Sequence, residues 1–359
     1  MINIGVIGLG EVSQLMHLPI LHDLHEKFKI VAVSDVAPSL VDFIKNKYSV
    51  KHGFLSSKEL ITCPDVDAIL VLSPDQYHGE CISLALQNSK HVFVEKPSTL
   101  SSKELEEILE LQKSHTDVVA MVGYMRRYSE AFLKAKDIME SSPLPTKYLR
   151  FRDIILEAPF FVGQTRPVFY PNDVPSSVIE EGTQRRQEHL VQALGSDASQ
   201  QAKVSYQMLT GLGSHSISAV RELFGVPNKI LSVVARGEHL FILMDFGDFI
   251  GTYELVNDQQ IVQFDAAIEI FQDTRKLHFK YETPYLRYQP MSLTVIESDK
   301  NETKTTTYGP NYKDPFFTEL THFYDCIKNN KQPKTTLQDS MHDLKLFEEI
   351  VKHITTGGN

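Results

Sequence analysis

The chain of 359 residues contains few cysteines and no long hydrophobic run. Cys63, Cys81 and Cys326 are far apart and never form a CxxC pair, which indicates neither a disulfide framework nor a zinc site. No apolar stretch approaches the roughly 18 residues that cross a bilayer. Met1 leads directly into the strand-like residues 2–7, so we expect no signal peptide and a cytoplasmic protein.

Clustered positive charge is also missing. The formal net charge is −10, and adjacent arginines occur only as Arg126-Arg127 and Arg185-Arg186. Two such pairs do not make the basic face that phosphate backbones require, so nucleic acid is not expected as a partner. The composition is that of a protein acting on small molecules.

Short apolar runs alternate with amphipathic stretches in the first third of the chain. The predicted strands are Ile4–Ile7, Ile30–Val33, Ala68–Leu72, His91–Val94 and Val118–Val122. The predicted helices are Val12–Leu24, Pro38–Lys47, Gln76–Asn88 and Ser102–Lys113. Near-continuous apolar strands separated by helices predict a doubly wound parallel sheet. We therefore expect an α/β chain with a dinucleotide-binding Rossmann domain over residues 1–125.

The pattern changes after this domain, and residues 126–359 are predicted to form a second, α+β domain. Its strands are predicted at Tyr148–Leu156 and from Ile230 to Val295, with a hairpin at Phe246–Phe249, which indicates an open, mainly antiparallel sheet. Helices are predicted at Ala131–Glu140, Val178–Ala193, Phe316–Asn329 and Leu337–Ile354. The C-terminal helix can pack back on the first domain, and residues 159–202 otherwise form a long surface excursion.

A glycine turn follows the first predicted strand and begins the first helix. Gly8 permits the tight turn, and Gly10 lets the backbone approach a pyrophosphate at the helix N-terminus. Asp35 ends the next strand, where a carboxylate binds the ribose 2′-hydroxyl and repels a 2′-phosphate. The simpler alternative is an ordinary turn with Asp35 as a helix cap. We expect a bound dinucleotide, and NAD(H) in preference to NADP(H).

With Glu95-Lys96-Pro97, the sequence resembles the glucose–fructose oxidoreductase, inositol dehydrogenase and rhizopine-catabolism (Gfo/Idh/MocA) family. The matching stretches are Gly8-Leu9-Gly10 with His17 and Pro19, Ser34-Asp35, Ser73-Pro74 with His78, His91–Pro97, Gly123–Tyr128 and Gly213–His215. The resemblance implies an NAD(P)-dependent oxidoreductase that transfers a hydride between nicotinamide and a secondary alcohol or carbonyl carbon of a sugar or polyol. It also implies a homodimer or homotetramer that uses the free face of the open sheet.

The resemblance assigns catalytic roles to Lys96 and His215. Lys96 would orient and polarise the reacting oxygen, with Pro97 following a cis bond, and His215 would transfer the hydroxyl proton. The implied coenzyme contacts are Gly8, Gly10, Glu11, Val12, Asp35, Ser73, Pro74, His78, Glu95 and Lys96. The candidate substrate contacts are Tyr124, Arg126 and Asp153, with a salt bridge between domains as the alternative for Arg126.

One departure from the family pattern affects the mechanism. Gly211 stands where these dehydrogenases usually carry an aspartate, four residues before His215, and Ser218 replaces another frequent aspartate. Either Lys96 and His215 suffice, or a carboxylate such as Asp153 or Glu157 substitutes for the aspartate. Alternatively, catalysis is weakened or lost, and the chain is an NAD(P)-binding regulatory protein. Redox-neutral chemistry, with NAD reduced and reoxidised in one cycle, is a third alternative. No metal is expected, because the His22/His25 and His78/Cys81 spacings lack companion ligands.

Overall fold

The computed structural model describes residues 1–155, 158–165, 167–261 and 263–355. Two compact units divide the chain. The first unit comprises residues 1–123, 166–197 and 319–344, and the second comprises 124–165, 198–318 and 345–359. The helices are α1 Leu18–Asp23, α2 Pro38–Tyr48, α3 Ser57–Ile61, α4 His78–Gln87, α5 Ser102–Gln112, α6 Glu130–Ser141, α7 Ala158–Thr165, α8 Ser176–Leu194, α9 Gln200–Met208, α10 Ser214–Phe224, α11 Pro315–Lys328 and α12 Leu337–Lys352.

A parallel sheet forms the core of the first unit. Its strands are β1 Ile2–Ile7, β2 Phe28–Ser34, β3 His52–Phe54, β4 Ala68–Val71, β5 His91–Glu95 and β6 Ala120–Gly123, in the order β3-β2-β1-β4-β5-β6. Neighbouring strands all pair in parallel. Every residue of β4 and β6 is buried, which explains their uninterrupted apolar sequences. The predicted doubly wound Rossmann fold is confirmed.

Three local features of this unit differ from the sequence prediction. The short elements β3 and α3 were not predicted, since three and five residues carry too little periodicity to be recognised. The first helical segment is continuous over residues 11–23, but it contains a π-helical turn over Ser13–His17 before α1. Pro19 lacks an N–H and lies in the first turn of α1, where no internal donor is needed.

Two later parts of the chain complete the first unit. In α11, the Phe323 ring packs edge-on against Phe93 of β5, with 5.8 Å between the ring centroids. Just before α12, the carbonyl of Thr335 accepts a hydrogen bond of 2.8 Å from the N–H of Val122. Helix α8 confirms the helix predicted at 178–193 and contacts α4 through Arg185, whose guanidinium lies 2.6 Å from Glu80.

A nine-stranded sheet forms the core of the second unit. Its strands are β7 Thr146–Ile155, β8 Lys229–Arg236, β9 His239–Asp245, β10 Ile250–Asn257, β11 Asp265–Gln272, β12 Arg275–Tyr281, β13 Met291–Ser298, β14 Thr303–Asn311 and β15 Ile354–Thr355, in the order β14-β13-β12-β11-β7-β10-β9-β8-β15. The β7–β10 and β8–β15 pairs are parallel and the other neighbours antiparallel. The predicted mainly antiparallel sheet is confirmed. Leu156 and Val262, which belonged to predicted strands, lie outside the described residues.

The hairpin between β9 and β10 is confirmed as well. The N–H of Phe246 donates to the carbonyl of Phe249 over 3.0 Å, and Gly247 supplies the required left-handed backbone with φ +89°.

One face of the β8–β10 region exposes apolar side chains. Burial alternates along β9, with Leu240, Ile242 and Met244 in the core. The outward apolar residues are Leu231, Val234, Phe241, Leu243 and Ile250, each 36% to 48% exposed. Since contiguous exposed apolar surface commonly marks an interface, this face is the candidate contact between copies of the chain.

Replacing Phe241 by Glu tests that prediction. A charge at the centre of an apolar interface carries a large desolvation cost, so F241E should convert an oligomer to monomers in light scattering. Ile179→Glu changes a similarly exposed residue of the first unit and should leave the mass unchanged. A monomeric wild-type protein at micromolar concentration would contradict the prediction.

Candidate functional site

The glycine turn after β1 fits closely against the end of β4. Gly8 has φ +85°, and a Cβ added there would lie 2.5 Å from the nitrogen of Ser73 and 2.6 Å from the carbonyl oxygen of Leu72. Gly10, in contrast, has no heavy atom within 4 Å of such a Cβ among the described residues. Gly8 is therefore required by the fold, and Gly10 leaves open space at the start of the helical segment, as a close-approaching pyrophosphate needs.

Asp35 lies directly after β2 and supports the same turn. Its carboxylate accepts hydrogen bonds from the N–H of Leu9 at 2.9 Å and from the N–H of Ala37 at 3.1 Å. A carboxylate has about four acceptor positions, so capacity for ribose hydroxyls remains. Asp35 bonds the residue before α2 and does not cap that helix, and its contact with the ribose stays a prediction.

Glu95 ends β5 and pairs with His17. The His17 ring is fully buried, and its Nε2 lies 2.8 Å from the Glu95 carboxylate. Burial alone would raise the pKa of Glu95, but the hydrogen bond and charge of His17 and the charge of Lys96 outweigh it and lower the pKa. The same carboxylate accepts the N–H of Lys96 over 3.1 Å. An ionised Glu95 therefore fixes the peptide that carries Lys96, and the Lys96–Pro97 bond is cis, as the resemblance implied.

His78 links two loops at this edge of the sheet. Its Nδ1 lies 2.7 Å from the carbonyl oxygen of Pro97, and its Nε2 lies 2.8 Å from that of Ser73. Both partners are backbone carbonyl oxygens, so the buried ring lies between two acceptors. His78 thereby connects the loop after β4 to the peptide that follows Lys96.

The predicted coenzyme residues of the first unit meet at one sheet edge. Gly8, Asp35, Ser73 and Lys96 follow the carboxyl ends of β1, β2, β4 and β5, where open parallel sheets bind ligands. The remaining predicted residues of this set lie at or after the same strand ends: Gly10, Glu11, Val12, Pro74, His78 and Glu95.

A contact that the sequence did not predict is made by residues 167–175, here called the cover segment. The side chain of buried Gln14 donates to the carbonyls of Leu9 at 2.9 Å and Phe169 at 3.0 Å, and accepts the N–H of Phe169 at 2.9 Å. Tyr170 donates to the Glu11 carboxylate over 2.6 Å. The cover segment therefore lies against the glycine turn. Its three prolines indicated only an extended surface excursion.

In the second unit, Arg126 and Asp153 form a buried ion pair. Asp153 is 1% and Arg126 5% exposed, and the same guanidinium nitrogen donates to Ser216 over 2.5 Å. Tyr253 donates to the other oxygen of Asp153 over 2.7 Å. All these partners belong to the second unit, so this salt bridge does not join the two units. The pair anchors α10 through Ser216, beside His215, and a substrate contact by Arg126 or Asp153 stays a prediction.

Tyr124 is also buried, at 2% exposure, with the Arg127 guanidinium 5.7 Å from its ring centroid. Its predicted contact with substrate is likewise untested.

His215 is the second residue of α10 and is half-buried. A π-helical turn over Leu209–Gly213 precedes it, a distortion that frequently accompanies functional sites. A Cβ at Gly211 would meet no heavy atom within 4 Å among the described residues, so space does not explain the missing aspartate. Ser218 is buried and donates to the carbonyl of His215 over 3.2 Å. Glu157, the alternative carboxylate, lies outside the described residues.

Comparison with known proteins agrees with this arrangement. The model of an oxidoreductase family with an NAD-binding Rossmann fold matches residues 2–124. Over these residues, the resemblance to the Gfo/Idh/MocA family is confirmed. Among the similar proteins, myo-inositol 2-dehydrogenase of Thermotoga maritima is 33% identical over 142 residues, which cover 40% of this chain and 42% of that protein. The match thus spans about two fifths of the length of that relative.

Two further similar proteins match almost the whole chain. The NAD⁺-dependent scyllo-inositol 2-dehydrogenase of Bacillus subtilis is 22% identical over 96% of this chain and 92% of its own length. The structure of a 3-ketoreductase from Actinomadura kijaniata, solved with NADP, has a TM-score of 0.74 at 16% identity and covers 99% of this chain and 98% of that chain. The structural likeness establishes the fold of both units. Within the described residues, no helix is long and apolar enough to span a membrane.

The first unit contains a polar cluster that is distinct from the His22/His25 and His78/Cys81 pairs. His52 begins β3, and its Nε2 lies 2.7 Å from the carboxylate of Asp65, with the buried Cys63 nearby. Lys51 and His52 lower the pKa of Asp65 to about 2 through their hydrogen bonds. Because Lys51 lies 2.6 Å from the same carboxylate, Asp65 already has a cationic partner. This cluster lies at the amino ends of the strands, opposite the edge described above.

The two glycines should differ in their response to alanine. Gly8→Ala forces a Cβ into the backbone after β4 at an unfavourable φ, so the free energy of unfolding should fall by about 2 kcal/mol or more. Gly10→Ala should change it by less than about 0.5 kcal/mol and weaken NADH binding by about tenfold, since its methyl enters open space. Urea unfolding and NADH fluorescence titration measure the two effects. Unimpaired NADH binding by G10A would contradict the prediction.

The His17–Glu95 pair predicts a pH-dependent stability. A lowered Glu95 pKa stabilises the fold above the unfolded-state pKa of about 4.5, and this contribution disappears as pH falls through the lower folded-state value. His17→Ala leaves a largely buried carboxylate without this partner and should cost about 3 kcal/mol at pH 7 in urea unfolding. The cost should shrink only below about pH 4.5, so it should be smaller at about pH 3 than at pH 7. His25→Ala, at an exposed histidine, is the control, and an equal cost at both pH values would refute the assignment.

Proposed function

We propose that the protein is an NAD(P)-dependent oxidoreductase that transfers a hydride between nicotinamide and a secondary alcohol or carbonyl carbon of a sugar or polyol. The observation that carries the proposal is the Glu95-anchored peptide of Lys96 at the same sheet edge as the glycine turn. The named relatives that act on inositols support the substrate class.

The coenzyme we propose is NAD(H) in preference to NADP(H). The carboxylate of Asp35 lies at the turn after β2. There it would accept a hydrogen bond from the ribose 2′-hydroxyl and repel a 2′-phosphate. The turn itself contributes no arginine, and the nearest following cation in the sequence is Lys45. The similar ketoreductase structure contains NADP, which is a property of that protein. Titration with NADH and NADPH measures the coenzyme preference of this chain.

In the proposed reaction, the substrate carbon gives a hydride to the nicotinamide and the hydroxyl gives its proton to His215. Neutral imidazole has an ordinary pKa near 6.5 and can accept this proton near neutral pH. The ammonium of Lys96 would hold and polarise the same oxygen, which favours the developing carbonyl. In the reverse direction, His215 would return the proton to the carbonyl oxygen.

Gly211 favours a second candidate function, an NAD(P)-binding regulatory protein. Without an aspartate four residues before His215, the imidazole lacks the side chain that usually orients it in these dehydrogenases. A regulatory protein would bind the dinucleotide tightly and reduce none of it with any sugar or polyol. Retention of both Lys96 and His215 supports the enzyme, since binding alone requires no acid–base pair.

Substitution of the two proposed catalytic residues tests the function. In a panel of inositols, sugars and sugar acids, reduced-nicotinamide absorbance should identify a substrate. On it, Lys96→Ala and His215→Asn should each lower kcat by about a hundredfold, with NADH affinity within about threefold of wild type. Lys103→Ala, at an exposed lysine, is the control. Full activity of K96A, or tight coenzyme binding without turnover on any panel member, would overturn the proposal.

A further inference from the structure

The predicted coenzyme residues lie at the carboxyl edge of the parallel sheet, here called the coenzyme edge. The cover segment contacts two elements at this edge. Near its start, the backbone of Phe169 is held by Gln14, and the Phe169 ring stacks on Phe43 of α2 at 4.7 Å between centroids and 14° between planes. Further along, Asp173 contacts Ser39, in the first turn of α2. The cover segment thus connects the glycine turn to the turn after β2.

Asp173 supplies α2 with the cap that its own sequence lacks. The helix begins at Pro38 after Ala37, which has no side chain that can accept a hydrogen bond. One oxygen of Asp173 accepts the N–H of Ser39 at 2.8 Å, and the other accepts the Ser39 hydroxyl at 2.7 Å. An acidic acceptor at the second position of a helix is a favourable N-terminal cap. These bonds lower the pKa of Asp173, so the carboxylate is ionised at neutral pH.

Two carboxylates therefore converge on the turn between β2 and α2. Asp35 occupies the N–H of Ala37, and Asp173 occupies the N–H and hydroxyl of Ser39, two residues later. Free N–H groups, hydroxyls and cations at this turn are the groups that would hold the 2′-phosphate of NADP. In this chain both donors of Ser39 already bind a negative charge from a segment 134 residues away.

We propose that Asp173 is a specificity-determining residue that, together with Asp35, excludes NADP(H). This inference rests on the proposed function, because it assumes that the adenosine ribose binds at Asp35. Asp173 acts by occupying donors that a 2′-phosphate would need and by adding a negative charge beside it. NAD(H) needs neither donor, so its binding does not depend on the displacement of Asp173.

A purely structural role for Asp173 predicts a different result. If the carboxylate only tethers the cover segment, its loss loosens the segment and changes NADH and NADPH affinity by the same factor. A role in discrimination changes the ratio of the two affinities. The ratio is therefore the decisive quantity, and it is insensitive to a general loss of folded protein.

The experiment measures the Kd of NADH and of NADPH for full-length wild type, Asp173→Ser and Asp173→Asn by fluorescence titration. D173S frees the donors and removes the charge, so NADPH should bind at least about tenfold more tightly relative to NADH, while NADH stays within about threefold. D173N removes the charge but keeps an acceptor for Ser39, so it should give a smaller shift. Calorimetry with 2′,5′-ADP and 5′-ADP should show the same preference without the nicotinamide half.

Asp42→Ser is the matched control, since it removes an exposed carboxylate from the same helix. An unchanged NADPH-to-NADH ratio in D173S, or an equal change in D42S, overturns the role of Asp173 and leaves the proposed function intact. Wild-type protein that binds neither coenzyme overturns both. Tighter NADPH binding confined to the Asp173 variants supports the inference.

Discussion

The close approach of the glycine turn to the end of β4 is the constraint on which the coenzyme edge depends. Gly8 lies so near Ser73 that no side chain fits between them. The carbonyl of Ser73 in turn binds His78, and the other nitrogen of His78 binds the carbonyl of Pro97. The position of the peptide after Lys96 is therefore linked, through one buried ring, to a turn almost ninety residues earlier in the chain.

The coenzyme edge could be predicted from sequence because each of its parts is encoded by a short continuous stretch of the chain. Each strand of a buried parallel sheet is an apolar run, and the residues predicted to bind ligand, such as Asp35 and Lys96, directly follow strand ends. The resemblance to a family then assigned chemistry to these positions. Short elements such as β3 had no such signal, since three residues cannot display a period.

Contacts between distant parts of the chain could not be predicted. Gln14 and Phe169 are 155 residues apart, and nothing in either sequence indicates that an amide side chain will bind a backbone there. Arg126 shows the same limit. The sequence suggested a substrate contact or a bridge between domains for Arg126, and it did not indicate the buried network with Asp153 and Ser216. Pairing of this kind depends on strand register, which sequence periodicity does not specify.

The net charge of −10 does not describe the coenzyme edge, where negative and positive groups lie at different strand ends. Asp35 and Asp173 place negative charge at the turn after β2, where hydroxyls and backbone N–H groups are the natural partners. At β5 the arrangement is reversed, because the ionised Glu95 is compensated by His17 and by the charge of Lys96. A cation held in this way lies in a locally balanced field, so it can interact with a substrate oxygen without being buried alone. Acidic side chains thus hold the turn at one strand end and support the peptide of a lysine at another.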